Sequence, residues 1–152
     1  MNEADTPAAS APDTGRRALL LDPDLFFSVK VSATLKHMAI TTTTVRQAGE
    51  WTRRLAAERF DIGLVNTAAP AKDWREAIAS ARAAGLPIIA YGSHVDIETQ
   101  AQARAAGATR VIANSKLAAD LPAIVEQTLQ RARRTDDKAE AAEQDTPRSD
   151  DV

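Results

Sequence analysis

The 152-residue chain is long enough for one domain with a hydrophobic core, which Ala, Leu, Ile and Val must build because aromatic residues make up only 4%. The absence of cysteine excludes disulfide bonds and thiol catalysis, and the two histidines, His37 and His94, match no metal-ligand spacing. No apolar run approaches the ~20 residues of a membrane span, and the first residues do not form a secretory signal, so a cytoplasmic protein is expected.

The net charge of −2 is distributed unevenly along the chain. Residues 1–15 contain three acids and no base, and residues 135–152 contain seven acids and two bases. Both segments are poor in large apolar side chains and cannot bury enough surface to offset the entropy of ordering. The sequence therefore predicts two disordered acidic tails around one domain at 16–134, whose 17 bases and 11 acids give it a net charge of +6.

The domain begins with a predicted strand followed by a predicted helix. Residues 16–22, RRALLLD, form an apolar run that closes on an acid, which is typical of a strand buried on both faces. Asp24 is placed to cap the helix that follows. On that helix Phe26, Val29 and Ala33 have the spacing of residues that share one face.

The remaining predicted elements continue the same alternation. A β-branched run predicts a second strand nearer the sheet edge, and three more apolar runs follow it, so these strands lie at 39–45, 60–66, 87–92 and 109–114. Helical spacing predicts further helices at 46–59, 73–84, 95–106 and 117–133, with Gly85 and Gly107 ending the second and third of these. The pattern is that of an α/β protein with a doubly wound five-stranded parallel sheet, (βα)₅, in the order 2-1-3-4-5.

In that strand order, the carboxyl ends of strands 1 and 3 flank the point where ligands usually bind. Asp22 and Asp24 follow strand 1, and Asn66 ends strand 3, so we expect these side chains to converge. None of the first turns has the glycine-rich loop of a phosphate site, which argues against a nucleotide. Ser93 and His94 are adjacent, and neighbouring side chains diverge on strands and turns, which argues against a catalytic pair.

Four segments, taken in order, resemble the receiver domains of two-component response regulators. LLLDPD stands where the family has paired acids after its first strand, and FDIGLVNTAAP stands where it has the phosphoacceptor aspartate with a proline four residues later. PIIAYGS and AGATRVIANS match the family's fourth and fifth strand segments. The resemblance covers residues 16–134 and implies the same fold.

The departures from the family pattern fall on its functional residues. In the family, two acids and the acceptor hold Mg²⁺, the acceptor takes the phosphoryl group, and a lysine and a hydroxyl steady that group. Here Pro23 stands at the second acid, Asn66 at the acceptor, Gly92 at the hydroxyl and Asn114 at the lysine. Val111 also replaces the family's aromatic switch residue. An amide cannot form an acyl phosphate, so the resemblance implies a pseudo-receiver that is not an enzyme.

Two nearby residues offer partial compensation for these departures. Asp24 could replace the acid lost at Pro23, and Lys116 could reach the pocket if the loop differs. Asp22 and Asp24 leave a weak Mg²⁺ or Ca²⁺ contact open, but two carboxylates with mostly neutral neighbours make a poor cation site, so no metal and no cofactor are expected. On local grounds, Asn66 could simply be a turn residue that ends a strand, and Asp22 could simply cap a loop.

Without phosphotransfer, the surface has to carry the function. The resemblance implies that a protein partner or a second copy docks on the face of helix 4, strand 5 and helix 5, whose basic residues are Arg104, Arg110, Arg131, Arg133 and Arg134. No helix-turn-helix segment follows, so nucleic acid is not expected. The favoured function is a phosphorylation-independent signalling module. The alternatives are a ligand-binding module that uses the switch-point pocket, and a receiver phosphorylated elsewhere, for example on Ser93 or Asp24.

Overall fold

The computed structural model describes residues 15–93 and 97–145, with side chains described as far as Arg134. Five strands alternate with five helices over these residues. The strands are β1 Arg16–Leu21, β2 Ile40–Val45, β3 Ile62–Asn66, β4 Ile88–Gly92 and β5 Arg110–Ala113. The helices are α1 Leu25–His37, α2 Ala48–Ala57, α3 Ala71–Ala83, α4 Ile97–Ala106 and α5 Asn114–Asp145.

All five strands form one parallel sheet in the order β2-β1-β3-β4-β5. The predicted fold class and strand order are therefore confirmed, with β2 at an edge. The register pairs Leu21 with Val65, and Asn66 with Tyr91. This pairing places the residues that follow β1 beside the ends of β3 and β4, at what we term the carboxyl edge of the sheet.

The hydrophobic core forms one layer on each side of the sheet, because side chains alternate along each strand. Leu19 and Leu21 belong to the layer that includes Trp51 of α2 and Ile78 of α3. Ala18 and Leu20 belong to the other layer, which packs against α1 and α5; the α5 members are Leu117, Leu121, Ile124, Val125 and Leu129. With helices on both faces, the central strands β3 and β4 are buried along their whole length, whereas the edge strand β2 keeps Thr41 and Thr44 exposed.

Helix α1 buries a different face from the one suggested by its largest apolar residues. Phe26, Val29 and Ala33 do share a face, but it is the exposed one, with Phe26 86% and Val29 59% exposed. The buried residues of the helix are Ser28, Val31 and Leu35. The hydroxyl of Ser28 donates to the carbonyl of Leu25 at 2.8 Å, so this polar side chain is buried with its hydrogen bond satisfied.

Helix α5 is longer than the helix predicted at 117–133. It begins at Asn114, so Asn114 and Lys116 lie in its first turn and not in a strand or loop. Its backbone is non-helical at Asp120, two residues before Pro122, which lacks the N–H that a continuous helix would use. The helix extends to Asp145, into the segment predicted to be a disordered tail.

The predicted domain limits remain predictions. Residues 1–14, 94–96 and 146–152 lie outside the described residues, and with them His94, most of the predicted N-terminal tail and the end of the C-terminal one. Among the residues that are described, none of the helices combines the length and the apolar character needed to cross a membrane. The cytoplasmic location also remains a prediction.

Because one face of α1 is buried and the other exposed, the same valine-to-alanine substitution should destabilise the protein on the first face and have little effect on the second. Val31→Ala removes methyl groups from a side chain that is 2% exposed, so we expect a loss of roughly 1–3 kcal/mol in the free energy of unfolding. The matched control, Val29→Ala, should change it by less than about 0.5 kcal/mol. Urea unfolding followed by circular dichroism measures both, and an equal loss in the two variants would contradict this orientation of α1.

Candidate functional site at the carboxyl edge

Asp22 lies at the centre of the candidate site, immediately after β1. Its side chain is buried, with 1% of the residue exposed. Oδ1 accepts hydrogen bonds from the side-chain amide of Asn66 at 2.9 Å and from the backbone N–H of Asp24 at 2.8 Å. Oδ2 accepts a hydrogen bond from the hydroxyl of Tyr91 at 2.6 Å. Both carboxyl oxygens are therefore held by donors from within the chain, as burial of such a group requires.

Asn66 is the last residue of β3, and each end of its amide has a partner. Its Nδ2 donates to Asp22, while its Oδ1 accepts from the backbone N–H of Ala68 at 2.8 Å. The second bond is an Asx turn, so Asn66 does turn the chain, as its local context suggests. An aspartate could accept from Ala68 in the same way, but an ionised one could not donate to Asp22. The hydrogen bond to Asp22 is thus the contact that depends on the amide.

Tyr91 on β4 supplies the third donor to Asp22. Its ring is fully buried and lies 5.5 Å from the ring of Phe27, measured between centroids. Burial, together with the negative charges of Asp22 and Asp24, raises the pKa of Tyr91 well above the ordinary 10.0. The hydroxyl consequently keeps its proton and continues to donate throughout the neutral range.

The side chain of Asp24 caps the start of α1. Its Oδ1 accepts from the backbone N–H of Phe27 at 3.1 Å, which makes it the N-cap of α1, as predicted. The residue is exposed, and Pro23 beside it is exposed too. Asp24 therefore approaches Asp22 through its backbone, while its carboxylate stabilises the helix.

The other predicted site residues are brought together only in part. Gly92 is buried at the end of β4, where it pairs with Ala113 of β5. Asn114 follows Ala113, and its Oδ1 is buried without a hydrogen-bond donor among the described residues. Lys116 is exposed and pairs with Asp120 at 3.9 Å, so the structure does not direct it towards Asp22. Ser93 is also exposed.

The residues at this edge do not fit a magnesium ion. A cation needs oxygen ligands, but Asn66 directs a donor N–H at Asp22, and Tyr91 and Asp24 donate to the same carboxyl group. Among the described residues, no group of three or more His, Cys, Asp or Glu side chains is placed to hold a metal. Three hydrogen bonds therefore occupy most of the roughly four lone-pair positions of the Asp22 carboxylate.

The basic residues predicted to form an interaction face lie at the other end of the domain. In a βα repeat, helices run antiparallel to the strands, so strand starts and helix ends share the opposite, amino edge of the sheet. Arg110 starts β5, and its Nη1 donates to Oε1 of Gln127 at 3.0 Å. Arg104 ends α4, and Arg131, Arg133 and Arg134 are exposed on α5 beyond Gln127. The sheet therefore separates these residues from Asp22.

Comparison with known proteins identifies the architecture. No protein-family model matches the chain, and no curated protein matches it. A response regulator receiver domain protein from Methanospirillum hungatei is 19% identical, with a TM-score of 0.72 over 79% of this chain and 98% of that chain. A receiver domain of a modulated diguanylate cyclase from Desulfovibrio desulfuricans is 23% identical, with a TM-score of 0.69 over 78% of this chain and 97% of that chain. The chain has the receiver fold.

A third solved structure has the same fold with a metal bound. The receiver domain of a sensor histidine kinase from Pseudomonas aeruginosa, crystallised with a magnesium ion coordinated in its active-site cleft, is 21% identical. Its TM-score is 0.67 over 76% of this chain and 98% of that chain. At such identities the likeness shows the receiver fold alone, and the chemistry has to be argued from this chain's own residues.

Tyr91 is the site residue that was not predicted from the sequence. It is the only tyrosine of the chain and directly precedes Gly92, which stands at the hydroxyl position of the receiver pattern. One signal was present: a hydroxyl-bearing residue near the end of a strand expected to be buried needs a hydrogen-bond partner. The strand order then restricts that partner to the carboxyl edge, where Asp22 lies.

The raised pKa of Tyr91 predicts how the fold responds to alkali. In the unfolded chain Tyr91 loses its proton near pH 10.0, but in the folded chain it does so only at higher pH. Stability from this group is full below pH 10.0 and is lost as the pH rises towards the folded value. Only Tyr91 can produce the ultraviolet absorbance of tyrosinate. In urea, where the chain is unfolded, this absorbance should rise near pH 10.0. In buffer it should rise only when the protein unfolds at higher pH.

The control for this titration is Tyr91→Phe. This variant should lose the tyrosinate signal and the alkaline loss of stability, and become about 1.5–3 kcal/mol less stable at neutral pH. A tyrosinate signal at pH 10.0 in a chain that is still folded would show that the hydrogen bond to Asp22 is absent.

Proposed function

We propose that this chain is a pseudo-receiver, a signalling module that acts by binding another protein and does so without phosphorylation or catalysis. The observation that carries the proposal is the closed hydrogen-bond network of Asp22, Asn66 and Tyr91. It occupies the switch point of the sheet, which is the place where parallel α/β folds put their chemistry.

The atoms at the switch point support the loss of phosphotransfer. A phosphoacceptor needs a carboxylate oxygen with a free lone pair, but Asn66 offers an amide whose oxygen is bound to Ala68 and whose nitrogen is bound to Asp22. A cation at Asp22 would have to displace donors whose bonds to a charged group contribute about 1.5–3 kcal/mol each. The proposal therefore rests on two features of the site, the lack of a carboxylate acceptor at Asn66 and the hydrogen bonds that compete with a cation at Asp22.

The network also supports a single, constant conformation of the domain. Asp22 joins the ends of β1, β3 and β4 to the start of α1 through buried hydrogen bonds. Buried networks of this kind hold their elements rigidly when every member is satisfied. Under this proposal the partner recognises a permanent surface, and control comes from something other than a phosphoryl group.

The substitution Asn66→Asp tests whether the amide closes the site. It replaces the donor to Asp22 with a second carboxylate, so the folded chain should lose stability in the absence of divalent ions. Magnesium should restore part of it, about 1.4 kcal/mol at ten times its dissociation constant. Thermal unfolding with and without an excess of Mg²⁺ should therefore separate this variant from the natural chain.

The matched control is Gln47→Glu, which adds the same charge at an exposed position before α2. Neither this variant nor the natural chain should respond to Mg²⁺. Beryllofluoride, a mimic of the phosphoryl group, should likewise leave the amide NMR signals of Asp22 and Asn66 in place. A Mg²⁺-dependent shift of those signals in the natural chain would overturn the proposal, and mass spectrometry after acetyl phosphate treatment would detect a phosphorylated Ser93 or Asp24.

The face formed by α4, β5 and α5 is proposed as the docking surface for a protein partner or a second copy. The double variant Arg104→Glu/Arg131→Glu should weaken chemical cross-linking to an identified partner, or self-association in sedimentation, by about tenfold. Arg46→Glu/Lys72→Glu makes the same change in charge at the carboxyl edge and should have little effect. Equal binding by both double variants would place the docking surface elsewhere.

A further inference from the structure

The amino edge of the sheet carries positive charge beyond the proposed docking face, which includes Arg104 but not the cations at the ends of α1, α2 and α3. Strand starts and the last turns of helices meet at this edge, and both are rich in arginine and lysine. We term this surface the basic pole and define it by Arg17, Lys36, Arg54, Arg59, Arg82 and Arg104. Single cations at helix ends favour the helix dipole, but their gathering on one surface also attracts anions.

The acids within the basic pole are already engaged. Glu58 forms ion pairs with Arg17 and, at 2.7 Å, with Arg54. The Asp61 carboxylate accepts from the backbone N–H of Arg17 at 2.8 Å. Glu126 pairs with Arg16 at 3.1 Å. These carboxylates hold the ends of elements in place, and the pole keeps an excess of positive charge.

A pocket of about 250 Å³ opens within the basic pole, between the end of α2 and the turn before β4. Leu55, Phe60, Leu86 and Pro87 give it apolar walls, and its charged lining consists of Arg59, Glu58 and Asp61. Its volume is below the roughly 300–1,000 Å³ of pockets for drug-sized ligands. The pocket therefore suits small apolar side chains, whereas the negative charges of an occupant would lie outside it, against the surrounding arginines, because Glu58 and Asp61 line the pocket itself.

The N-terminal part of the chain enters the fold beside this pocket. Arg17 is bonded through its backbone to Asp61, and its guanidinium lies 5.0 Å from the centre of the Phe60 ring; both partners line the pocket. Residues 1–14 connect at Gly15, two positions before Arg17. They contain three acids, no base, and several alanines and prolines, and 14 residues can extend to at most about 50 Å.

We infer that residues 1–14 bind across the basic pole, with small apolar side chains in the pocket and Glu3, Asp5 and Asp13 against its arginines. The segment is acidic where the pole is basic, and its alanines and prolines suit the apolar walls in size. A short tether keeps the segment at an effective concentration in the millimolar range, so weak contacts are enough to hold it there.

The C-terminal acids are a poorer match for the same surface. Beyond Arg134 the backbone continues as helix to Asp145, rising about 1.5 Å per residue. This carries the acidic stretch along the axis of α5, away from the sheet edge. The N-terminal segment is thus the occupant that screens the basic pole, and an acidic partner would have to displace it. The inference does not depend on the loss of phosphorylation.

A spin label on the full chain tests the inference, because the chain has no cysteine of its own. Ala4→Cys carries the label, and amide NMR signals are compared before and after the label is reduced. At low salt, the signals of Arg59 and Leu86 should weaken near the label, whereas those of Arg46 and Lys72 at the carboxyl edge should not. The effect should fade at high salt, where the Debye length shrinks to about 3 Å.

Two variants separate binding from mere tethering. The triple variant Glu3→Gln/Asp5→Asn/Asp13→Asn keeps the tether and the label but removes the negative charge. The loss of the Arg59 amide signal caused by the label should therefore become smaller by about twofold or more. Arg59→Glu should produce the same fall, and Arg46→Glu should not. Unchanged weakening in the uncharged variant would overturn the inference. Weakening in a mixture of spin-labelled and isotope-labelled chains would also overturn it, because the segment would then bind a second copy.

Discussion

The burial of the Asp22 carboxyl group is the constraint on which the rest of the site depends. A carboxylate removed from water is tolerated only when donors replace the solvent around it. Here the donors come from the amide of Asn66, the hydroxyl of Tyr91 and the backbone of Asp24. Three strand ends and one helix start must therefore be in register before the charge can be buried, which couples the site to the sheet as a whole.

The same constraint explains why the receiver fold persists around a site that does not fit Mg²⁺. In a metal-binding site the cation balances buried carboxylates, whereas here the carboxyl group of Asp22 is balanced by hydrogen bonds from Asn66, Tyr91 and the backbone of Asp24. The fold then has a closed carboxyl edge and a strongly charged amino edge.

Much of this arrangement could be predicted from the sequence because it follows from periodicity. Alternating apolar runs and helical stripes gave the alternation of strands and helices. The common order of a five-stranded doubly wound sheet then placed Asp22 and Asn66 side by side, and the structure has that order. The contact to Tyr91 was not predicted, since it depends on which face of β4 the side chain occupies. Lys116 does not face the expected pocket, because α5 begins three residues earlier than predicted and Lys116 lies in its first turn.

The spacing of apolar residues in the sequence also did not predict which face of α1 is buried. The helix has apolar residues on both faces, and it buries Ser28, which satisfies its own hydroxyl, in preference to the larger Phe26. Size and hydrophobicity alone do not choose between two such faces, because the orientation is set by the cap at Asp24 and by packing on the sheet.

The most direct measurement is a crystal structure of the natural chain grown with saturating Mg²⁺. The account predicts that the amide nitrogen of Asn66 and the hydroxyl of Tyr91 remain within hydrogen-bond distance of Asp22, with no cation between them. A magnesium ion coordinated by Asp22, with the Asn66 amide turned away or its oxygen facing the metal, would contradict it.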